Sequence, residues 1–474
     1  MIKCNDHRPN DKCGVVGVTS TESCSMYIYF ALRALQHRGQ ESAGIVTYDN
    51  VIHYKRGMGL VHEIFDEALI KNLRGTCGIG HVRYSTQGSS SLDNAQPVVA
   101  SSSLADISLG HNGEIVNAAH LREKYQKAGW AFFTDSDSEI IIRMLVNEIK
   151  LCNGDVVNAL KKLAKNLVGS YSITIQVGSN IYAIRDPMGI KPLCIGKLPT
   201  GFIVASESVA LDSIGAAFIR DVEPGEIIEL TTANLRSDRL VEERGQVAHC
   251  MFEFVYFARP DSVLDGRVVY DVRKNIGRII AKESPVEADY VVPIPDSGMS
   301  VALGYSEESD IPFAEGLMKN RYIGRTFIMP VHHMRELNVS LKMNPLKTLV
   351  KDKRVILVDD SIVRGTTIRR IVQSVRQAGA KEVHVRIGSP PIISPCYLGI
   401  DMKTRDQFVA KPQEDQEKPY ERVAKIITAD SLAHISIDGL VEAIGLPKDS
   451  LCLGCLTEEY PVPIENEKMR SESC

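Results

Sequence analysis

The chain has 474 residues, with 55 Lys and Arg against 59 Asp and Glu, for a formal charge of −4. That length accommodates about two to four domains, and 44 % hydrophobic with 24 % charged residues is the balance of an ordinary globular protein. There is no cluster of basic residues, no apolar stretch of about 18 residues and no apolar leader in MIKCNDHRPNDKC, which argues against nucleic-acid binding, membrane insertion and secretion and leads us to expect a cytoplasmic protein.

In chain order, CGVVGV at 13–18 reads as a strand that starts almost at Cys13. From Ser25 to Gly39, Ile28, Ala31, Leu32 and Leu35 share one helical face, with Gly39 placed to end the helix. Asp155 caps a second helical pattern that carries Val156, Leu160, Leu163 and Leu167 and stops at Gly169. Tyr171, Ile173, Ile175 and Val177 then alternate, Gly178-Ser179-Asn180 turns, and Ile181–Ile184 returns as a hairpin. Strands paired through turns and followed by helices predict a layered α+β unit with antiparallel sheets. Past the charged stretch RSDRLVEERGQ at 236–246 the pattern changes. Tyr290–Ile294, Val355–Val358 and Val383–Ile387 are short β-branched runs separated by helical patterns, which predicts βαβ units, a parallel sheet and a ligand site at the strands' C-terminal ends.

Eleven cysteines, an odd number without an export signal, point to reduced thiols rather than a disulfide framework. Cys452-Leu453-Gly454-Cys455 is a C-x-x-C pair, compatible with redox, metal-binding or structural roles. A closed four-thiolate site needs two further ligands.

The segment 355–379, VILVDDSIVRGTTIRRIVQSVRQAG, is the richest in chemistry. A buried strand ends in Asp359 and Asp360, and the loop Ser361-Ile362-Val363-Arg364-Gly365-Thr366-Thr367 leads into a helix with Ile368, Ile371, Val372 and Val375 on one face, closed by Gly379. Gly365 permits close backbone approach, the threonine hydroxyls donate, and free N–H groups at the helix start attract an anion. Paired carboxylates beside such a cradle suit a ligand with hydroxyls and a magnesium ion. This segment resembles the signature of the type I phosphoribosyltransferases, which bind phosphoribosyl pyrophosphate (PRPP). The resemblance implies that Asp359 and Asp360 hold the ribose hydroxyls and Mg²⁺ while residues 361–367 wrap the 5-phosphate. Pro295-Asp296-Ser297-Gly298 resembles the family's pyrophosphate loop, which implies PRPP contacts from Asp296 and Ser297. KNRYIGR at 319–325 implies a mobile hood carrying Lys319, Arg321 and Arg325. Relatives often have Ser where this chain has Gly298, so no metal role is carried over there.

Cys13 is accompanied by LQHRGQESAG at 35–44, GHVRYST at 80–86, GHNGEIVN at 110–117 and TDSDSE at 134–139. Together they resemble the glutaminase domain of the N-terminal-nucleophile amidotransferases. That resemblance implies Cys13 as nucleophile, its own α-amine as general base, the Asn112 side chain and Gly113 N–H as oxyanion hole, and Arg83 and Asp137 as holders of glutamine's carboxylate and ammonium. Arg38 matches a residue near the nucleophile and is carried over as a glutamine contact. A base at the α-nitrogen requires residues 1–12 to be a propeptide removed before Cys13.

Both halves together resemble the propeptide-bearing, iron–sulfur branch of the glutamine PRPP amidotransferases. The expected fold is a four-layer αββα N-terminal-nucleophile glutaminase at 13–245, followed at 246–474 by an α/β type I phosphoribosyltransferase with a parallel sheet. The implied reaction, the entry to de novo purine synthesis, turns glutamine, PRPP and water into 5-phosphoribosylamine, glutamate and pyrophosphate, with ammonia channelled between the sites. The resemblance further implies Cys250, Cys396, Cys452 and Cys455 as ligands of a [4Fe-4S] cluster (structural zinc being the alternative), inhibition by purine nucleotides, and a homotetramer. Glucosamine-6-phosphate synthase shares the glutaminase half, but its chemistry needs a sugar-isomerase domain instead of the 359–367 segment. A non-catalytic PRPP or nucleotide sensor would not need both sets of catalytic residues.

Overall fold

Alternating apolar residues in the first half build two stacked antiparallel sheets, seen in a computed structural model that describes residues 13–84, 90–102, 104–241, 245–320, 343–402, 405, 408–411 and 419–464. One sheet has seven strands in the order Ala217–Asp221, Cys194–Leu198, Gly201–Ala205, Gly14–Ser20, Cys77–Arg83, Ser42–Tyr48 and Ile52–Met58. The other has six, in the order Leu235–Arg239, Glu226–Leu230, Asn180–Arg185, Gly169–Val177, Asp106–Ile115 and Val98–Ser101. Because strand side chains alternate, Val15 points between the sheets, where Val46, Ile79, Ile181, Ala183 and Ile228 meet it, while Val16 and Val18 face outward. Against that outer face lies the helix Ser25–Ala34, which buries Ile28, Ala31 and Leu32. Complete burial of Ile28 and Leu32 contributes about 1.5–3 kcal/mol each before entropy is counted. Helices Asp137–Leu151 and Val156–Ala164 cover the other outer face through Ile141, Leu145, Leu160 and Leu163. The order of layers is therefore αββα.

Two helix ends differ from expectation. The first helix stops at Ala34 and continues as a short 3-10 turn, Gln36–Arg38, so Gly39 does not terminate it. Gly39 has an extended φ of −153°, and a Cβ there would meet the Val82 backbone carbon at 2.5 Å. The glycine allows close approach to the neighbouring strand. The second helix, capped by Asp155 as expected, ends at Ala164, and Gly169 opens the next strand instead of stopping the helix. The hairpin follows the sequence reading, with Val177 opposite Asn180.

In the second half a four-stranded parallel sheet runs Tyr290–Pro293, Arg354–Asp359, Glu382–Ile387 and Ser431–His434. The last strand was not anticipated: SLAH is short and only partly buried, too weak a pattern to read from sequence. Both faces are covered. Ile356 and Val358 pack towards the helices Val269–Glu283 and Met299–Ser309, and Val355 and Leu357 towards the helix Thr366–Gln377. The first of these cores also takes in Val116 and Ile190, so apolar packing is continuous between the two halves.

Candidate active site

Cys13 lies at the N-terminal end of the central strand of the seven-stranded sheet, one residue before Gly14, which pairs with Val82 beside Arg83. Its buried Sγ donates to the Tyr84 carbonyl at 3.5 Å. Burial raises the thiol's pKa above its ordinary value, against the lowering effects of that hydrogen bond and of Arg83. Asp137 and Glu41 also act electrostatically on the thiol. The thiol is thus protonated at neutral pH and needs a base to become a nucleophile.

Arg83 is buried and donates through one terminal nitrogen to Glu41 Oε1 at 2.6 Å. Asp137 opens the helix Asp137–Leu151, accepts from the Ile115 N–H at 3.2 Å and stands 3.6 Å from His111 Nδ1. Burial opposes its charge, but His111 and the backbone donors outweigh it and hold the carboxyl below its usual range.

Asn112, on the strand Asp106–Ile115, is fully buried, and neither its amide nitrogen nor its amide oxygen has a hydrogen-bond partner among the described residues. At the adjoining Gly113 a Cβ would fall 2.0 Å from the Ser170 carbonyl oxygen. Ser170 Oγ donates to the Leu398 carbonyl at 2.8 Å, so a loop of the second half rests on the neighbouring strand Gly169–Val177.

Arg38 is committed elsewhere than to an open pocket. Its Nε donates to the Cys13 carbonyl at 3.2 Å, one terminal nitrogen donates to Glu207, and the other lies 2.9 and 3.0 Å from the two carboxylate oxygens of Glu253. Sequence reasoning missed Glu41, Glu207 and Glu253. Glu41 lies within the quoted 35–44 segment, whereas the other two are distant in sequence and carry no local pattern.

At the C-terminal end of the parallel sheet, Asp359 and Asp360 are both buried. Asp359 Oδ1 accepts from Ser297 Oγ at 3.4 Å and from the Asp360 N–H at 3.0 Å. Ser361 Oγ donates to Asp360 Oδ2 at 2.6 Å, and Asp360 Oδ1 is buried without a hydrogen-bond partner among the described residues. Gly365 adopts a left-handed φ of +74° at the N-cap of the helix Thr366–Gln377, a conformation that suits glycine. The loop 361–367 therefore delivers its backbone to a helix N-terminus, where N–H groups and the helix dipole favour an anion. Lys319 Nζ donates to Asp296 Oδ2 at 2.5 Å, which brings these two expected residues together. At Gly298 a Cβ would lie 2.2 Å from the Val358 carbonyl oxygen, a steric reason for glycine. Arg321 and Arg325 lie outside the described residues.

The four cysteines expected to act together come from three separate segments. Cys250 pairs with Cys452 across two short parallel strands, and the Ile393 and Ser394 N–H groups, close to Cys396, donate to the Cys455 carbonyl. Burial first, then Cys396, Cys452 and Cys250, raise the Cys455 thiol well above its ordinary pKa, which makes the four electrostatic neighbours. Among the described residues no group of three or more His, Cys, Asp or Glu side chains is arranged to hold a metal ion.

A glutamine amidotransferase domain model matches residues 81–213 and a phosphoribosyl transferase domain model residues 261–387. The amidophosphoribosyltransferase of Archaeoglobus fulgidus is 49 % identical over 460 residues, covering 96 % of this chain and 99 % of that protein. That of Synechocystis sp. is 44 % identical over 471 residues, covering 98 % and 94 %. The solved structure of glutamine PRPP amidotransferase from B. subtilis, complexed with ADP and GMP, superposes with a TM-score of 0.88 at 40 % identity, covering 96 % of this chain and 98 % of that one. With such identity across nearly the whole of both halves, the chain belongs to the amidophosphoribosyltransferases, enzymes of purine biosynthesis that carry out glutamine-dependent amidotransfer to PRPP.

Proposed function

We propose that Cys13 is the nucleophile of glutamine hydrolysis and that it works as the first residue of a processed chain, with residues 1–12 removed, residues 13–245 forming the glutaminase and 246–474 the phosphoribosyltransferase. The observation that carries this reading is the buried Cys13 thiol on the Tyr84 carbonyl, at the start of a strand paired with the one that ends in Arg83, together with a buried Asn112 amide that has no partner among the described residues. A free α-amine on Cys13, with an ordinary pKa of about 7.7–8.0, takes the thiol proton near neutrality. Sulfur attacks the carboxamide carbon, and the oxyanion that forms is held by the Asn112 amide and the Gly113 N–H. The tetrahedral adduct collapses to a glutamyl thioester and expels ammonia, which takes the proton held by the α-amine. Water then releases glutamate. Arg83 pairs with the substrate carboxylate and Asp137 with its ammonium.

Ammonia passes internally to C1 of PRPP and displaces pyrophosphate, because bulk water at neutral pH would protonate it into a non-nucleophile. Asp359 and Asp360 hold the ribose hydroxyls, residues 361–367 the 5-phosphate, Asp296 and Ser297 the pyrophosphate, and Lys319, Arg321 and Arg325 close the site. The buried oxygen of Asp360 without a partner and the neighbouring Asp359 suit a divalent cation. Mg²⁺ bound there would neutralise charge on the departing pyrophosphate. Cys250, Cys396, Cys452 and Cys455 are electrostatic neighbours though not gathered into a ligating arrangement among the described residues. Four thiols are the donor type of a [4Fe-4S] cluster or a tetrahedral zinc, and we assign iron–sulfur by family resemblance, in a structural role, since neither half-reaction is redox chemistry. The nucleotides bound to the B. subtilis enzyme support purine nucleotides as inhibitors here, and a homotetramer is part of the same reading. Among the described residues no helix is long and apolar enough to cross a membrane; a cytoplasmic site of action belongs to the same family reading.

The test is PRPP-dependent release of glutamate from glutamine, with Cys13→Ala as control and intact-mass analysis of the active chain. Release that needs both PRPP and Cys13, from a chain beginning at Cys13, is expected. Full activity with Met1 still attached would overturn the α-amine mechanism.

A further inference from the structure

The main chain of the nucleophile is tied to the opposite half of the molecule. Arg38, whose Nε holds the Cys13 carbonyl, is completely buried, and its guanidinium plane is set by two carboxylates, Glu207 and Glu253. Glu207 belongs to the first half, but its second oxygen accepts from the Arg259 N–H at 2.9 Å and from Ser262 Oγ at 2.6 Å, both in the second half. Glu253 begins a five-residue π-helical turn, Glu253–Phe257, a form often found at functional sites. The Phe254 carbonyl of this turn and that of Ala258 just after it accept from the buried Arg273 at 2.8 and 2.7 Å. Arg273 is pulled down to a pKa of about 10 by burial, and the charge that most opposes this is Asp360 of the PRPP loop. Both carboxylates outweigh burial at Arg38 and keep it cationic.

We propose that Glu253 is a positioning residue for glutamine hydrolysis: acting through Arg38, it fixes the peptide of Cys13 and so the direction of the attacking sulfur and of the α-nitrogen. The proposal rests on the reading of Cys13 as nucleophile and replaces a direct glutamine contact by Arg38. With Nε on the Cys13 carbonyl, one terminal nitrogen on Glu207 and the other on Glu253, all three nitrogens of the guanidinium are held, which sets its plane as well as its place. If the plane turns, Nε no longer reaches the Cys13 carbonyl in line, and a displacement of about 1 Å at a reacting group costs about a hundredfold in rate. In this reading Glu253 acts through Arg38. Its effect therefore belongs in kcat for the glutamine reaction, not in glutamine affinity, and not in PRPP chemistry driven by added ammonia.

The experiment compares wild type, Glu253→Gln, Arg38→Gln and the double variant as full-length processed enzyme, with glutamine or ammonium chloride as nitrogen donor. For Glu253→Gln the expected result is a glutamine-dependent kcat lowered at least about tenfold, a glutamine KM within about twofold, and an unchanged ammonia-dependent rate. The double variant should be no slower than Arg38→Gln, because both changes break one chain of contacts. The rate of Cys13 alkylation by iodoacetamide should change in Glu253→Gln as well. Equal loss of the glutamine and ammonia rates, multiplicative losses in the double variant, or a Glu253→Gln enzyme with wild-type glutamine kcat would each overturn the proposal. Glutamate release that survives Cys13→Ala would instead sink the nucleophile reading, a result separate from every Glu253 outcome.

Discussion

Asn112→Ala separates what a catalytic amide does for rate from what it does for stability. In the folded protein the Asn112 amide is fully buried, and both of its polar atoms lack partners among the described residues. A buried polar atom with an unmade hydrogen bond costs about 1–3 kcal/mol, so two of them cost about 2–6 kcal/mol. Truncation to Ala removes that cost but also removes three packed heavy atoms, a loss of about 2–5 kcal/mol in a core. The two nearly cancel, so chemical denaturation should place Asn112→Ala within about 1 kcal/mol of wild type. Activity should behave otherwise: loss of one oxyanion donor lowers kcat by about 10²–10³. Glutamine KM should change little and the ammonia-dependent rate should persist, since the change is confined to the first half. Urea melts and steady-state kinetics with both donors are the assays. Destabilisation of more than about 3 kcal/mol with glutamine-dependent kcat intact would mean that the amide is bonded in the fold and is no oxyanion donor.

Arg83→Lys keeps the charge beside Glu41 but loses the planar fork, so glutamine KM should rise at least about tenfold while ammonia-dependent kinetics hold. An unchanged KM would remove Arg83 from substrate binding. Asp359→Asn, in contrast, should depress the glutamine and ammonia reactions together and raise the KM for PRPP, because both reactions end at the same loop; selective loss of one would contradict the assignment. Burial alone would raise the pKa of Glu207, but His37 and Arg38 outweigh it and hold the carboxyl well below the usual range. Its stabilising contribution is therefore complete above the unfolded carboxylate pKa of about 4.3 and is lost as pH falls through the lower folded value. Urea melts stepped from pH 6 downward should show a stability decline that Glu207→Gln reduces, and an identical slope in the variant would refute the linkage. Cys452→Ser should remove metal bound by the purified protein, read by elemental analysis together with visible absorption, which separates iron–sulfur from zinc. Full retention of metal would displace Cys452 from the ligand set.

Local chemistry was legible in the sequence because it is contiguous. Asp359, Asp360 and the loop 361–367 form one strand–loop–helix unit, and the structure keeps them as one. The alternation of 171–184 specified a hairpin because strand side chains must alternate faces, whatever else surrounds them. Helix ends were less legible. Gly39 and Gly169 looked like stops, yet each is needed beside another strand's backbone, a demand made by tertiary contact. The weak strand Ser431–His434 likewise exists because Glu382–Ile387 offers it a hydrogen-bonding edge. What the sequence by itself determined, then, is the type and order of the two chemistries, each written in short runs whose residues act as neighbours. Only the tertiary structure decided that Arg38 serves the Cys13 main chain between Glu207 and Glu253, because a buried guanidinium takes its role from carboxylates that folding brings to it from 169 and 215 residues away.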